Sequence, residues 1–449
     1  MKKIFQYIML AVVTIVMASC TSDIEETTTT TGKNNVQLVV GEFPAFGDSQ
    51  TRAIGTPDEG KTSWAEGDEL LLEIDNTSYG RHNATFTYNG SSWELTSGEL
   101  VYLEGDPAYI SHVYYAPNYK WEAGKLVLKE GKDPGTDEYI EGNARITGNG
   151  ETITVSFAEA TRKYSRLRIA TLPNEQITVD TEYFTPAGSS DMEQNGNYTL
   201  TSDEKGNAYL YGTFENNSEV TVKYREAALT TYTFSQATES AKSYALDATV
   251  ISANSAEEIK SAIEQKVADG KTTIRLNLAP NAGTNEFMAI REAIKGAAPN
   301  DLGTIELTII GVETIPEEAF YKMLQLKSVR MSDVKEIKKY AFKECQYLTV
   351  VEAPSLNKLY SGAFKKCDQL SKLTFGPINY ADARNWPIFE YITPNIDLIL
   401  SDYQKEMIET DDYLYTANND RDYAGSDEHN SKNFLGREFK SITCRYPVE

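Results

Sequence analysis

The stretch AFYKMLQLKSV, Ala319 to Val329, recurs as AFKECQYLTVV from Ala341 and as AFKKCDQLSKL from Ala363. The Ala-Phe pairs are spaced by 22 residues, and four further positions keep the same interval. These positions are Ile315, Ile337 and Leu359; Met323, Cys345 and Cys367; Leu326, Leu348 and Leu370; and Val329, Val351 and Leu373. A period of about 20 to 29 residues predicts a leucine-rich solenoid with one short strand and one helical turn per coil.

The A-F-x-x-C-x-x-L core of these copies resembles the BspA-like group of surface leucine-rich repeats. Three clear copies are few for a stable core, so the flanking segments are expected to cap the stack. These caps are residues 255–296, whose apolar residues have helical spacing, and the tail 377–449. The prediction is an α+β leucine-rich-repeat domain over residues 252–449, with a helical N-terminal cap.

The strands of the repeats are predicted to carry the ligand-binding surface. Strand alternation turns Leu326, Val329 and Met331 inward and their neighbours outward. The outward residues are the candidate ligand contacts: Lys327, Ser328, Arg330, Thr349, Glu352, Ser371, Lys372 and Thr374. The alternative for each of them is a solvated sheet face that binds nothing.

Cys345 and Cys367 occupy one repeat position. A small, weakly polar side chain at that position would fill the inside of a coil, so packed free thiols are predicted.

The N-terminal half is predicted to be all β. Short runs of alternating apolar and polar residues fill the chain from residue 36 to residue 251, separated by turn dipeptides. Asn89-Gly90 and Asn149-Gly150 are strong hairpin signals. Nine or more short strands over this length favour two tandem β-sandwiches, residues 36–160 and 161–251.

Two stretches in this half resemble the fimbrillin (Mfa-like) family, the subunits and accessory proteins of type V pili. One is Thr51-Arg52-Ala53 followed by Ser63-Trp64-Ala65-Glu66-Gly67-Asp68, and the other is ATFTYNGSSWEL, Ala84 to Leu95, with VYYAP further on. The resemblance implies proteolysis after the matching Arg52, which frees a groove for a neighbour's strand. An unprocessed loop arginine is the alternative, because cleavage there would sever the chain from Cys20.

The chain begins MKKIFQYIMLAVVTIVMASC, a positive start followed by an apolar stretch too short to span a bilayer. Small residues directly before Cys20 match the lipobox of bacterial lipoproteins, in which the thiol is acylated. Residues 1–20 are therefore predicted to be a lipoprotein signal peptide, and the polar residues 21–35 a tether. The acidic start of the tether resembles the export signal of surface lipoproteins, so the expected location is the outer membrane, with the protein lipid-anchored at the cell surface.

The stretch GTPDEGKT, Gly55 to Thr62, matches the phosphate-loop pattern. No apolar strand precedes it, and Pro57 removes one of the amides that would bind phosphate. Asp58 and Glu59 would place negative charge against the phosphates, so no nucleotide is expected. The net charge of −23 likewise disfavours nucleic acid and anionic lipid as partners.

No metal, cofactor or catalytic residue is predicted. The chain contains three histidines and none of the patterns H-E-x-x-H, G-x-S-x-G and C-x-x-C. The segment Asn418 to Asp422 alternates oxygen-bearing side chains, but the glycine and distal glutamate of a calcium loop do not follow.

The favoured hypothesis is a non-enzymatic surface lipoprotein that acts in cell adhesion or as a tip or anchor component of a pilus. Its repeats would bind a host or bacterial surface protein or a glycan, and pilus subunits and the membrane are the other expected partners. The alternative is a secreted or surface hydrolase whose catalytic residues follow no recognisable motif. The two adhesion-like domain types and the missing catalytic motifs favour the first hypothesis.

Cys20→Ala is expected to release the protein from membranes, because an acyl chain buried in the bilayer would be its anchor. Membrane fractionation and fatty-acid labelling measure this, with Cys444→Ala as a control that removes a thiol far from the lipobox. Unchanged fractionation and unchanged labelling of the Cys20→Ala protein would contradict the lipobox.

Overall fold

The computed structural model describes residues 29–30, 37–48, 61–76, 80–98, 108–147, 152–157, 162–225, 227–253, 255–382, 388–402, 433–435 and 437–445. In these residues the chain is mostly β, with two sandwich-like sheets followed by a stack of parallel strands. No helix in the described part is long and apolar enough to cross a membrane. Cys20, Arg52 and the segment Asn418 to Asp422 lie outside the described residues.

The first sheet has eight strands built from runs of alternating apolar and polar residues. In spatial order they are Thr29–Thr30, Gln37–Val40, Thr152–Ser156, Ile140–Thr147, Ala108–Tyr115, Glu69–Asn76, Gly80–Tyr88 and Trp93–Gly98. Alternation turns Leu70 and Leu72 to one face, where they share a buried core with Trp93. A hairpin, Tyr119–Glu122 with Lys125–Leu128, lies outside the sheet.

The W-x-x-G-D step attaches the N-terminal segment to this sheet. Trp64 donates its indole N–H to the Gly41 carbonyl at 2.8 Å. Asp68 accepts the Ala65 amide at 2.7 Å and pairs with the Lys61 ammonium at 2.6 Å. The lysine of the phosphate-loop-like stretch is therefore held inside a turn of the first sheet, in an ion pair that a phosphate would have to displace.

The second sheet also has eight strands. In spatial order they are Ala227–Thr233, Glu219–Tyr224, Gln176–Pro186, Asn207–Phe214, Ser165–Ala170, Lys242–Asp247 and Gly47–Asp48, with Glu193–Thr201 paired to Gln176–Pro186. Phe184 and Phe214, with ring centroids 4.5 Å apart, lie in its core. The parallel pairing of Gly47–Asp48 with Lys242–Asp247 shows that the predicted first domain, 36–160, contributes a strand to the second sheet.

Two parallel sheets form the repeat region. The wide sheet contains Ile251–Ala253, Thr273–Leu278, Ile305–Ile310, Leu326–Met331, Val350–Ala353, Lys372–Phe375, Asp397–Ser401 and Ser441–Arg445. The narrow sheet contains Thr314–Ile315, Glu336–Ile337, Lys358–Tyr360 and Tyr380–Asp382, and a separate pair joins Asn433–Phe434 to Arg437–Glu438. Residue 251, predicted to end the second sandwich, thus belongs to the wide sheet. All five in-phase positions of the repeat are buried, as the period predicts.

Each coil of the repeat region passes from the wide sheet to the narrow sheet and returns through a series of tight turns. We call the surface formed by these returning segments, residues 316–325, 338–348 and 361–370, the turn side.

Two helices, Ala256–Ala268 and Thr284–Ala297, precede the repeats and pack into the same core. The Ser255 hydroxyl caps the first helix by accepting the Glu258 amide at 3.2 Å. The buried Ile263 of this helix contributes to the core of the repeat region.

A fully buried ion pair lies at the junction of the two sandwich-like sheets. Arg162 donates to the Glu138 carboxylate at 2.5 Å and to the Pro44 carbonyl at 2.7 Å. The Tyr164 hydroxyl donates to the same carboxylate at 3.0 Å, and the guanidinium lies 3.8 Å from the centroid of the Phe46 ring. A buried charge is strongly destabilising when its partner is removed, so this network ties both sheets to the N-terminal segment.

Glu138→Gln is expected to lower the free energy of unfolding by about 3 to 5 kcal/mol, because it leaves the buried Arg162 without its counter-charge. Urea denaturation followed by tryptophan fluorescence measures the change. The matched control is Glu141→Gln, whose partner Lys163 has a side chain that is 77% exposed; it should cost less than about 1 kcal/mol. Equal losses in the two variants would show that the junction does not depend on this pair.

Candidate functional site

The outward residues of the wide sheet form straight rows across the coils. One row contains Ser328, Val350 and Lys372, and a second contains Arg330, Glu352 and Thr374. Lys327, Thr349 and Ser371 precede these rows at the edge of the sheet, one in each coil. Neighbours in a parallel sheet lie about 4.8 Å apart, so the structure brings the predicted contacts together on one surface.

The four charged residues predicted on this surface all form ion pairs. Lys327 pairs with Glu306 at 2.8 Å. Glu352 lies between Arg330, at 2.9 Å, and Lys372, at 3.5 Å. Because these pairs are solvent-exposed, each contributes only about 0 to 1 kcal/mol to stability. Three cations thus share two carboxylates, so the surface is polar and its charges are largely paired. A partner could exchange its own charges for these at little cost.

The prediction that Ser328 is an available contact is wrong. Its side chain lies in the outer row but is only 7% exposed. Glu306 and Val350 flank it in register, and the short serine side chain lies below them.

Thr349 and Ser371 use their hydroxyl groups within the stack. The Thr349 hydroxyl donates to the Lys327 carbonyl at 2.8 Å, and the Ser371 hydroxyl donates to the Thr349 carbonyl at 3.1 Å. Each hydroxyl therefore links its coil to the preceding one, and its oxygen remains able to accept a hydrogen bond.

The second sandwich-like sheet covers the first strands of the wide sheet. Arg275, in the same row as Arg330, is buried and donates to the Leu229 carbonyl at 2.5 Å. Ile310 joins the core of the second sheet. Burial lowers the pKa of Arg275, and Asp247, 4.0 Å away, opposes this effect. The open part of the surface therefore begins at Arg330, and no repeat pattern reveals this contact between domains.

A cleft of about 350 Å³ opens at the junction of the two sandwich-like sheets. Its lining includes Tyr139, Tyr164, Thr185, Ser189, Glu141 and Lys163. The last two form an ion pair at 2.8 Å. Aromatic rings beside hydroxyl groups suit a small polar ligand. The described residues around this cleft include no histidine or cysteine, and because they come from distant strands no sequence motif marks it.

The buried thiols of Cys345 and Cys367 are free, as the repeat position predicts. They donate to the carbonyls of Phe320 and Phe342, at 2.9 and 3.0 Å respectively. Burial raises the pKa of Cys345 to about 12 and the pKa of Cys367 well above its ordinary value. Neither thiol is therefore an activated nucleophile. Within the described ranges no group of three or more His, Cys, Asp or Glu side chains is arranged to hold a metal ion.

Comparison with protein families identifies a match between residues 302–399 and the BspA type leucine rich repeat region, in six copies. The predicted resemblance to BspA-like repeats is thereby confirmed for this region, with more copies than the three that the sequence pattern makes clear. The match covers less than a quarter of the chain, and the resemblance of the N-terminal half to fimbrillins stays a prediction.

No curated protein matches the chain. A solved structure with similarity is that of the minor pilin of the gram-positive pathogen Streptococcus agalactiae. The two chains are 11% identical with a TM-score of 0.15, and the match covers 46% of this chain and 93% of the pilin. Similarity at this level carries no argument about function.

Iodoacetamide at pH 8 is expected to leave Cys345 and Cys367 unmodified in the folded protein, because both thiols are buried and their pKa values are raised. Peptide mass spectrometry measures the modification, and the same protein in urea, where both residues should react, is the control. Rapid alkylation in the folded state would refute the packing role.

The same burial predicts that stability depends on pH. Unfolded thiols ionise near pH 8.5 and the folded ones do not, so the free energy of unfolding should fall as the pH rises above about 8.5.

Proposed function

We propose that the protein is a lipid-anchored surface protein that acts in cell adhesion or as a tip or anchor component of a pilus. Its partner is a host or bacterial surface protein or a glycan, bound by the open rows of the wide sheet. One observation carries this proposal: the BspA type repeat region, residues 302–399, coincides with an exposed polar sheet surface that begins at Arg330.

The repetition of the coils supports binding to an extended partner. Glu352 and Thr374 stand in the same register on neighbouring coils, so the surface offers the same spacing of polar groups several times. A partner that spans several coils makes several weak contacts at once, and their combined affinity exceeds that of any single contact. The ion pairs of this surface are weak because they are solvent-exposed, so a charged partner displaces them at little cost.

The proposed architecture places this surface away from the membrane. The lipid at Cys20 and the tether, residues 21–35, form the anchor, and the two sandwich-like sheets serve as the spacer. The helices Ala256–Ala268 and Thr284–Ala297 act as the N-terminal cap of the repeats. The contact between Arg275 and the second sheet supports a spacer that holds the repeats in a fixed orientation.

A terminal position in a pilus is favoured over a repeating shaft position. The second sheet runs directly into Ile251–Ala253, which pairs with Thr273–Leu278 of the wide sheet. The C-terminal end of the sandwich pair is therefore not free to be donated as a strand to a neighbouring subunit.

The test is binding of beads coated with the full-length protein to epithelial monolayers and to immobilised matrix proteins and glycans. The double variant Glu352→Lys with Thr374→Arg reverses a charge and adds bulk on the open rows. The matched control, Glu313→Lys with Thr314→Arg, makes the same two substitutions beside and on the narrow sheet.

We expect binding to fall at least about tenfold in the wide-sheet variant, as for a charge reversal inside an interface, and to stay within about twofold of wild type in the control. Equal binding by both variants and wild type would exclude the wide sheet as the binding surface. Absence of binding by the wild type to every surface would count against adhesion itself.

A further inference from the structure

The central repeats reverse the charge of the chain. From Lys322 to Lys372 the sequence has eleven basic and five acidic side chains, whereas the whole chain carries a net charge of −23. On the second helix the pKa of Lys295 is lowered, first by burial and then by repulsion from Arg291, with Lys322 adding to it. Cations therefore crowd this part of an otherwise acidic protein.

Lysines on the two sheets and lysines on the turn side have different partners. On and beside the narrow sheet, Lys335 and Lys358 form ion pairs at 2.5 and 2.6 Å. On the turn side, Lys339 forms an ion pair with none of the described carboxylates, and the nearest approach of Lys343 is to Glu344 at 3.9 Å. Lys322, Lys338 and Lys365 of the turn side are paired with carboxylates. Among the described residues, the positive charge that remains there is therefore that of Lys339, Lys343 and Lys366.

Tyrosine rings hold these lysines in place. The Lys343 ammonium lies 5.0 Å from the centroid of the Tyr321 ring and 4.8 Å from that of Tyr340. The Lys339 ammonium lies 4.8 Å from the same Tyr340 ring. A cation–π contact fixes an ammonium group without cancelling its charge. We call Tyr321, Lys339, Tyr340, Lys343 and the exposed Lys366 the lysine–tyrosine face.

Tyr340 lies at a backbone position with an unusual conformation. Tyr340 has a φ of 56°, in the left-handed region that a bulky residue adopts only at a cost. The equivalent residue of the next coil is Gly362, and a Cβ added there would stand 2.5 Å from the Tyr340 ring. The missing side chain at Gly362 therefore provides the space against which the ring lies.

Two of the neighbouring carboxylates are engaged with other lysines, whereas Glu317 and Glu318 pair with no described lysine. Burial raises the pKa of the Tyr340 hydroxyl, and Glu317 and Glu318 add to this effect. Glu344 pairs with Lys322 at 3.5 Å, and Glu390 pairs with Lys365 at 2.5 Å. Glu318 lies one coil earlier, at the repeat position of Tyr340. Lys339, Lys343 and Lys366 are thus the lysines of this face whose charge no close ion pair with a described carboxylate neutralises.

We propose that the lysine–tyrosine face binds an anionic polysaccharide, with a carboxylate or sulfate group held between Lys339 and Lys343. The coils follow one another at about 4.8 Å, a spacing similar to the length of one sugar ring, so a linear glycan can follow the stack. Tyr321 and Tyr340 supply aromatic surface beside the charges, against which the C–H faces of sugar rings can pack. The surface is separate from the wide-sheet rows.

A polysaccharide fits the charge of the protein better than a nucleic acid does. Duplex DNA carries one negative charge per about 1.7 Å of its axis, and such density would be repelled by the acidic remainder of the chain. A polysaccharide with one charge for every one or two sugars matches a basic surface that is only a few coils wide.

The test measures binding of full-length protein, purified in detergent, to immobilised dextran sulfate and polygalacturonate by interferometry at several salt concentrations. Neutral dextran and single-stranded oligo-dT are the comparison ligands. The variant Lys339→Ala with Lys343→Ala removes the proposed contacts. Its matched control, Lys335→Ala with Lys358→Ala, removes the same charge from the narrow-sheet side of the same coil and the next one.

We expect the turn-side variant to bind both charged polysaccharides about tenfold more weakly, with the salt dependence reduced by about one counterion for each lysine. The control should change affinity less than about twofold, and the wide-sheet variant Glu352→Lys with Thr374→Arg should not weaken it. Equal losses in the two lysine pairs would overturn the proposal, as would tighter binding of oligo-dT or no binding of either charged polysaccharide. Thermal unfolding of each variant establishes that it is folded.

Discussion

The stacking of one phenylalanine per coil is the interaction on which the repeat region depends. The stack contains Phe320, Phe342, Phe364 and Phe389, with successive ring centroids 5.1, 5.4 and 5.8 Å apart. No single coil can bury its own ring, so each coil is stable only beside its neighbours. Phe287 of the second helix meets one end of the stack edge-on at 5.6 Å, and Phe439 meets the other end edge-on at 5.5 Å. Both ends of the parallel stack are thus covered by an aromatic ring that meets it at a steep angle, 77° for Phe287 and 89° for Phe439.

The backbone of the turn side repeats the same conformations from coil to coil. Glu318, Tyr340 and Gly362 share one left-handed position, and Lys322, Glu344 and Lys366 share another. A left-handed non-glycine residue costs about 1 to 2 kcal/mol, and main-chain hydrogen bonds between coils offset this cost. Phe320, for example, donates its amide to the Ala341 carbonyl at 2.8 Å. Side chains on the turn side are consequently displayed at a constant interval by a rigid backbone.

The sequence predicts the features that depend on the period of the repeat. It does not predict the contacts between domains. The interval of 22 residues identifies the buried positions of the repeat, including both thiols, because each position meets its equivalent in the next coil. The contact between Arg275 and Leu229 joins two domains and leaves no period, so the covered end of the wide sheet was not predictable. Alternation alone predicts that Ser328 is exposed, and alternation does not report the size of its neighbours.

The net charge of the whole chain does not describe the charge of the central coils. The value of −23 for the whole chain disfavours polyanions, yet the central coils carry more than twice as many basic as acidic side chains. At physiological ionic strength the Debye length is about 8 Å, so a group bound between Lys339 and Lys343 responds to the nearest few residues and little to distant carboxylates. At low ionic strength those carboxylates act over longer distances and slow the approach of the same ligand. The sequence creates the basic surface, and at physiological ionic strength screening limits how far the acidic remainder of the protein opposes it.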